Sequence, residues 1–277
     1  MTIEEPYGDL TDTSMDVVSW NVWGRFGPYE QRSDEIGRVL TESEPDIIVL
    51  QESWSYPDGE SQAERLARQL GFEYFAVGQP GPRHDDWHIV SAAISRWPIV
   101  DQRHATFPSH GELRGWPGEA LSLVVDGPRG RIPVVNVSLD WPPQSSELRQ
   151  ASVREVALLC KELGDEPYPV VVCGDFNAGP ASTEMRMLTG DHTPAVPGFV
   201  LFDAWAKAGS GTGHTWDRSN RWVAPTTLPS RRIDYIMTGW PASPGGRGDV
   251  TGVQLIGDDN RDLPPSDHYG LQATLRY

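Results

Sequence analysis

Cysteine is nearly absent, with two in 277 residues. A small disulfide-held scaffold is thereby excluded, and no CxxC spacing exists for a zinc ribbon or dithiol site. Cys160 falls in a helical pattern and Cys173 ends an apolar run, so both read as buried thiols of a reducing compartment, and a cytoplasmic location is expected. No run of 18 apolar residues occurs, so no membrane-spanning helix is expected. The opening MTIEEPYGDLTDTS is acidic and lacks the basic start and apolar stretch of a secretory signal. Basic residues are scarce, 23 Lys and Arg against 39 Asp and Glu, a formal charge of −16. Gripping a nucleic-acid backbone needs clustered Lys and Arg, so nucleic acid is a disfavoured partner, open through bridging divalent cations. HExxH, GxSxG and GxxxxGK[ST] are all missing, which removes the zincin, serine-hydrolase and P-loop readings. With no repeat and no low-complexity linker, residues 15–277 read as one domain behind a flexible acidic leader over 1–14, and a monomer is expected.

What is present suffices for a large core: 38% of residues are apolar and 11 are Trp. Short apolar runs at 16–20, 46–50, 89–94, 120–125, 133–139, 169–173, 233–237 and 270–275 have the length and β-branched content of strands. Three stretches read as helices. Residues 30–43 place Ile36, Val39 and Leu40 on one face. Residues 61–70 open with a capping box, Ser61 and Glu64, and 147–163 align Leu148, Val156, Leu159, Cys160 and Leu163. Many strands and few helices predict two packed sheets flanked by helices.

Polar residues stand where these strands end. Asn21 follows MDVVSW, Glu52 follows DIIVLQ, Asp175 and Asn177 follow VVVCG, Asp234 lies in RRIDYIM, and Asp267-His268 precede YGLQATL. Each has a plain structural reading: a turn Asn, a solvated Glu, an Asx turn at 175–177, an Asp234 paired with Arg231 or Arg232. Those readings do not explain why all of them share one context, the loops where α/β folds place chemistry. Together they suit phosphoester cleavage. Anionic oxygens repel a nucleophile, so such a site needs a hard cation, a base near water and donors for developing charge. Carboxylate and amide oxygens of Asn21 and Glu52 suit Mg²⁺, with Mn²⁺ or Ca²⁺ as alternatives. Asp175 is placed to orient or deprotonate water, Asn177 to donate to a phosphoryl oxygen, and His268 to move a proton or bind phosphate while Asp234 sets its tautomer.

The chain also resembles the endonuclease/exonuclease/phosphatase superfamily, whose fold is that of pancreatic deoxyribonuclease. SWNVWG at 19–24, DIIVLQES at 46–53, AAISRWPI at 92–99, VVNVSLDWPP at 134–143, GDFNAGP at 174–180, HTWD at 214–217, RRIDYIM at 231–237 and PSDHYGL at 265–271 occur in the family's order. The resemblance implies an α/β four-layered sandwich, two mixed β-sheets packed face to face with helices outside. It also implies a divalent-metal-dependent phosphoesterase acting on a phosphodiester or phosphomonoester. Asn21, Glu52 and Asp267 resemble the metal-side residues, with Glu52 the principal ligand. Asp175, Asn177, Asp234 and His268 resemble the catalytic set.

Ser138 departs from that pattern, since many members carry His there to help the leaving group or bind phosphate. Serine donates a hydrogen bond but carries no proton at neutral pH. Ser138, Arg96 and the pair Arg231 and Arg232 are the candidates for substrate or phosphate contact, with ordinary surface pairing the alternative for the arginines. The TWD, RRIDY and SDHYG forms resemble the sphingomyelinase-like branch, and a small or lipid-like phosphoester is the expected substrate. The alternatives are a nuclease acting on DNA or RNA, and a diverged member with a binding or non-hydrolytic role that Ser138 would mark.

Overall fold

Alternation along the strands gives each sheet two apolar faces, and the architecture follows from covering both. In β1 (Ser14–Asn21) Met15 and Val17 face one way and Val18 and Trp20 the other, and in β2 (Ile47–Ser55) Ile47 and Val49 oppose Ile48 and Leu50. In β8 (Gly130–Ser138) and β9 (Val171–Asp175) Val134, Val171 and Cys173 oppose Val135, Val137 and Val172. Strands apolar on both faces need a layer on each side. The inner faces pack against each other. The outer face of the first sheet takes α1 (Tyr29–Ser43) and α2 (Gln62–Leu70) through Ile36, Leu40 and Leu66. That of the second takes α3 (Ser146–Glu162) and α4 (Thr183–Thr189) through Val156, Cys160, Met185 and Leu188. The result is a four-layered α/β sandwich. The computed structural model describes residues 7–57, 59–107, 118–164, 166–259 and 262–277.

The first sheet has the order β12 (Val250–Ile256), β13 (Gly270–Arg276), β1, β2, β5 (Trp87–Ser95), β3 (Tyr74–Val77) with β4 (Arg83–His84) on β5, and the second β10 (Phe202–Asp203), β11 (Asp234–Thr238), β9, β8, β7 (Glu119–Gly127), β6 (Ile99–Thr106). Both are mixed: β1 and β2, and β8 and β9, run parallel, and the other pairs antiparallel. Each of the eight expected strand runs overlaps a strand, among them β5, β7, β11 and β13, with one end of the run one or two residues outside the strand at β2, β8, β9 and β11. All three expected helices form, and Ser61 caps α2 by accepting from the Glu64 N–H at 3.1 Å.

Further elements went unread in the sequence. The edge strand β6 (Ile99–Thr106) is largely solvated and carries Asp101, Gln102 and Arg103, so it shows no apolar run. The edge strand β12 (Val250–Ile256) is interrupted by Gly252 at a bulge, while β3 (Tyr74–Val77), β4 (Arg83–His84), β10 (Phe202–Asp203), α4 and α5 (Ala204–Ala208) are too short to show a period. Within the expected leader, residues 1–6 lie outside the described residues. From Tyr7 on the chain is held to the body: Tyr7 C=O accepts from Gly245 N–H, Thr11 N–H donates to Gly245 C=O, and the Thr13 hydroxyl donates to Tyr277 C=O. A free leader over all of 1–14 therefore does not describe residues 7–14.

Candidate active site

The inward alternation that builds the core turns polar at one end of the sandwich. Along β1 the inward set Met15, Val17, Ser19 ends on Asn21; along β9 Val171 and Cys173 end on Asp175; along β11 Ile236 is preceded by Asp234. Asp175 sits in register with both Ser138 and Asp234, so three polar side chains stand on adjacent strands. Glu52 breaks the rule: by alternation it belongs with Ile48 and Leu50, facing the helices. The β2–β5 register shifts between Leu50 and Ser53, and Glu52 takes φ +49°. That bulge re-aims its side chain toward Asn21. Asn177 and Trp23 also have positive φ, so backbone strain gathers around this end. Gly174, at φ +143°, lets β9 lie against β8: an added Cβ would fall 1.9 Å from the Val137 carbonyl oxygen.

Beneath the cluster, Gln51 Nε2 donates to Asn136 Oδ1 at 2.6 Å, and Asn136 Nδ2 donates to the Leu50 and Ala92 carbonyls at the bulge. Asn21 Nδ2 donates to Glu52 Oε1 at 3.0 Å and to Asp175 Oδ2 at 3.2 Å. Asp175 also accepts from the Asn177 backbone N–H at 2.9 Å and from its amide at 3.2 Å. His268 Nδ1 lies 2.8 Å from Asp234 Oδ2, and its Nε2 lies 3.9 Å from Asp175 Oδ2. Thr215 Oγ1 accepts the N–H groups of Ile233 and Asp234, and the Trp216 ring meets the His268 imidazole edge-on at 5.1 Å. Ser266 Oγ donates to the Asn21 carbonyl and accepts the His268 N–H, which ties the last loop to the end of β1.

Burial and like charge perturb this cluster. Burial, then Asp234, hold the Asp175 carboxyl well above the usual carboxylate range, with His268 and the Asn177 N–H opposing. Burial works against the His268 imidazolium, but Asp234, Asp175 and Asp267 outweigh it and hold its pKa well above the ordinary value. Asp267 is likewise raised, by burial and by Glu52, with His268 and Arg32 opposing. Arg32 is fully buried; burial pulls its pKa down to about 10, and Asp267, Tyr29 and Glu52 oppose that. Its guanidinium donates to the carbonyls of Val22, Trp23, Gly24, Phe26 and Pro265, fixing the loops that carry Asn21 and Asp267.

Two groupings bear on a metal. Ligand atoms of Asp175, Asp234 and His268 lie within 4.8 Å of one another. The Nδ1 contact to Asp234 orients the imidazole and leaves Nε2 toward Asp175, and the surrounding carboxylates hold the ring protonated, which suits a proton donor rather than a ligand. Glu52 and Asp267 offer oxygen alone and repel each other, so a hard divalent cation fits their donor set and relieves that repulsion.

Asn21, Glu52, Asp175, Asn177, Asp234, Asp267 and His268 thus meet at one end of the sandwich. Ser138 is beside them, lining a cavity of about 70 Å³ with Glu52, Gly118, Leu139, Asp140, Trp141 and Asn177. Two proposed contacts are not brought there. Arg96 follows β5 at the opposite end of the first sheet, paired with Asp46 at 2.8 Å and lying over Phe72. Arg232 is turned to Asp203 at 2.7 Å and packs on Tyr235, on the helix side of β11. His88 bonds the Gly81 carbonyl and His214 contacts Asp217, while His110 lies outside the described residues. In the loop over 218–230 Asn220 and Val223 are buried and the rest half-buried or exposed: Trp222 lies against Trp23 and donates to the Pro264 carbonyl, and Asn220 donates to those of Ser266 and Asp267. Arg32, Asn136, Thr215 and Ser266 were not singled out from the sequence. Thr215 and Ser266 lie inside HTWD and PSDHYGL and were reachable; Arg32 resembles any polar helix residue.

The endonuclease/exonuclease/phosphatase family profile matches residues 18–268. A Caenorhabditis elegans protein named "Putative neutral sphingomyelinase" is 25% identical, covering 93% of this chain and 65% of that protein. The chain thus spans slightly under two thirds of that relative's length. Inositol phosphosphingolipids phospholipase C of Schizosaccharomyces pombe is 21% identical over 94% of this chain and 68% of that protein. Among solved structures, D. rerio TDP2 complexed with single strand DNA product aligns with a TM-score of 0.72 at 22% identity, covering 96% of this chain and 100% of that one. At that identity the likeness speaks for the fold.

Proposed function

The chain belongs to the endonuclease/exonuclease/phosphatase family, and on that premise we propose that it is a divalent-metal-dependent phosphoesterase of a small or lipid-like phosphoester. The observation that carries the reading is the Asp234–His268–Asp175 arrangement: a buried imidazole held at Nδ1 by one carboxylate, its Nε2 facing a second across 3.9 Å. Asp234 keeps His268 protonated and aimed. A water or phosphoryl oxygen that bridged Nε2 and Asp175 Oδ2 would sit beside this 3.9 Å gap and contact both groups. Asp175, fixed by Asn177 and Asn21, takes the proton of the attacking water, and the His268 Nε2–H donates to a phosphoryl oxygen as charge develops. Asn177 holds Asp175 and adds an amide donor at the same edge. Glu52 and Asp267, with Asn21 beside them, would hold Mg²⁺ or a similar ion, which supplies charge neutralisation at the phosphoryl and leaving oxygens. The lipid-like preference draws on the names of the two curated relatives and on the acidic charge of −16, which disfavours a polyanion. The test is a Mg²⁺-dependent hydrolysis panel of sphingomyelin, inositol phosphates, nucleotides and nucleic acids, with Asp175→Ala and His268→Ala as controls. Faster turnover of plasmid DNA than of any small phosphoester would favour the nuclease reading.

A further inference from the structure

We propose that Arg231 is a substrate-binding residue whose guanidinium receives a non-bridging oxygen of the phosphoryl group. The inference rests on the phosphoesterase reading above and goes beyond it by naming a contact.

The neighbouring arginines are committed. Arg32 serves five backbone carbonyls, Arg149 holds Glu184 and the carbonyls of Asp140 and Pro142, and Arg232 holds Asp203. Arg231 differs in that no carboxylate lies within ion-pair distance of it among the described residues; its buried Nε has no hydrogen-bond partner, and neither has the Nη1 of Arg232. Its backbone is nonetheless fixed, pairing with Trp216 through two hydrogen bonds of 2.7 and 3.0 Å. Trp216 is the residue whose ring rests on His268, and Asp234 lies three residues further along the chain. Arg231 is thus held by its backbone beside Trp216, half-buried, where burial lowers the guanidinium pKa, Asp175 and Asp234 raise it and Arg149 opposes them.

The charge inventory gives it a task. Glu52, Asp175, Asp234 and Asp267 crowd the cluster, and a phosphodiester brings further negative charge. Ser138, where a family member would carry an ionisable His, contributes none. A planar guanidinium with free N–H groups matches phosphate oxygens and pairs with them strongly.

The experiment is calorimetric titration of the folded protein in Mg²⁺ with inorganic phosphate, for wild type, Arg231→Gln and Arg231→Lys, beside initial rates on bis(4-nitrophenyl) phosphate. Arg231→Gln should weaken phosphate binding about tenfold or more and raise KM in step, with kcat changed far less, and Arg231→Lys should recover part of the loss. Equal phosphate affinity in wild type and a folded Arg231→Gln overturns the proposal, as does a wild type that binds no phosphate. If Arg231→Gln does not fold, Arg231→Lys decides, because unchanged affinity there would show that the fork of donors is not used. The parent reading fails separately, through a wild-type rate no higher than that of Asp175→Ala.

Discussion

Replacing Asp234 by Asn keeps the size of the side chain and an oxygen able to accept from His268, but removes the charge. The hydrogen bond lost in strength is 2.8 Å long and wholly buried. Hydrogen bonds to charged groups contribute roughly 1.5–3 kcal/mol, or about 10–150-fold. If the imidazole must also move or share a proton, the cost rises toward the roughly 10²–10⁴ range of general acid–base catalysis. We therefore expect kcat of Asp234→Asn to fall by about 10²–10⁴. The pH profile is the sharper readout. Asp234 is the foremost of the carboxylates that raise the His268 pKa against burial, so removing its charge lowers that pKa. A donor that must be protonated loses activity as pH rises through its pKa, so the alkaline limb should move to lower pH in the variant. Stability follows the same sign. A pKa raised in the folded state contributes stability that is fully present below the unfolded histidine value, about 6.5, and fades as pH climbs through the folded value. The melting-temperature gap between wild type and variant should thus be widest at acidic pH and narrow on the alkaline side. Unchanged kcat together with an unmoved alkaline limb would refute the assignment of His268 as a proton-bearing group held by Asp234.

Other perturbations test separate parts of the account. Ser138→His, if it folds as judged by melting temperature, should speed cleavage of an alkyl phosphodiester more than that of a nitrophenyl ester, because only the alkoxide needs a proton; equal gain on both, or none, would show that Ser138 is not a vacated acid position. Gly174→Ala places a Cβ 1.9 Å from a carbonyl oxygen at a left-handed φ, so it should cost on the order of 4–5 kcal/mol and abolish soluble expression; a wild-type melting temperature would contradict the strand contact described. Glu52→Gln should raise the Mg²⁺ concentration needed for half-maximal rate far more than it changes the fold's melting temperature, and an unshifted Mg²⁺ titration would place the ion elsewhere. Burial pushes both cysteine thiols well up, so iodoacetamide at pH 8 should leave Cys160 and Cys173 unlabelled until the chain is unfolded.

The core strands were legible because β-branched runs such as VVNVS and PVVVC are apolar on both faces, which signals burial under layers. The edges were not, since β6 faces water and its hydrophobic signal is diluted. At the site, Asn21, Asp175 and Asp234 were readable as strand-end polar residues because simple alternation carries them inward. Glu52 was found by its place after DIIVLQ, yet its orientation was not predictable: the bulge that turns it has no signature stronger than an ordinary Gln-Glu-Ser. The arginines expose the limit of local reading. Arg231 and Arg232 are indistinguishable in sequence, but one folds onto Asp203 at the start of α5 while the other stays beside Trp216. Arg96 stands in ISRWPI, one of the pieces in family order, but β5 runs antiparallel to β2 and delivers it to the end away from Glu52.

Steady-state hydrolysis of sphingomyelin and bis(4-nitrophenyl) phosphate by the purified chain, with Mg²⁺ and with excess EDTA, measures the central claim most directly when wild type is run beside His268→Ala and Asp175→Ala. The account predicts phosphoester turnover that needs the added cation and falls by at least about 10² in each variant while melting temperature is kept. Turnover indifferent to EDTA, or retained in either folded variant, would contradict it.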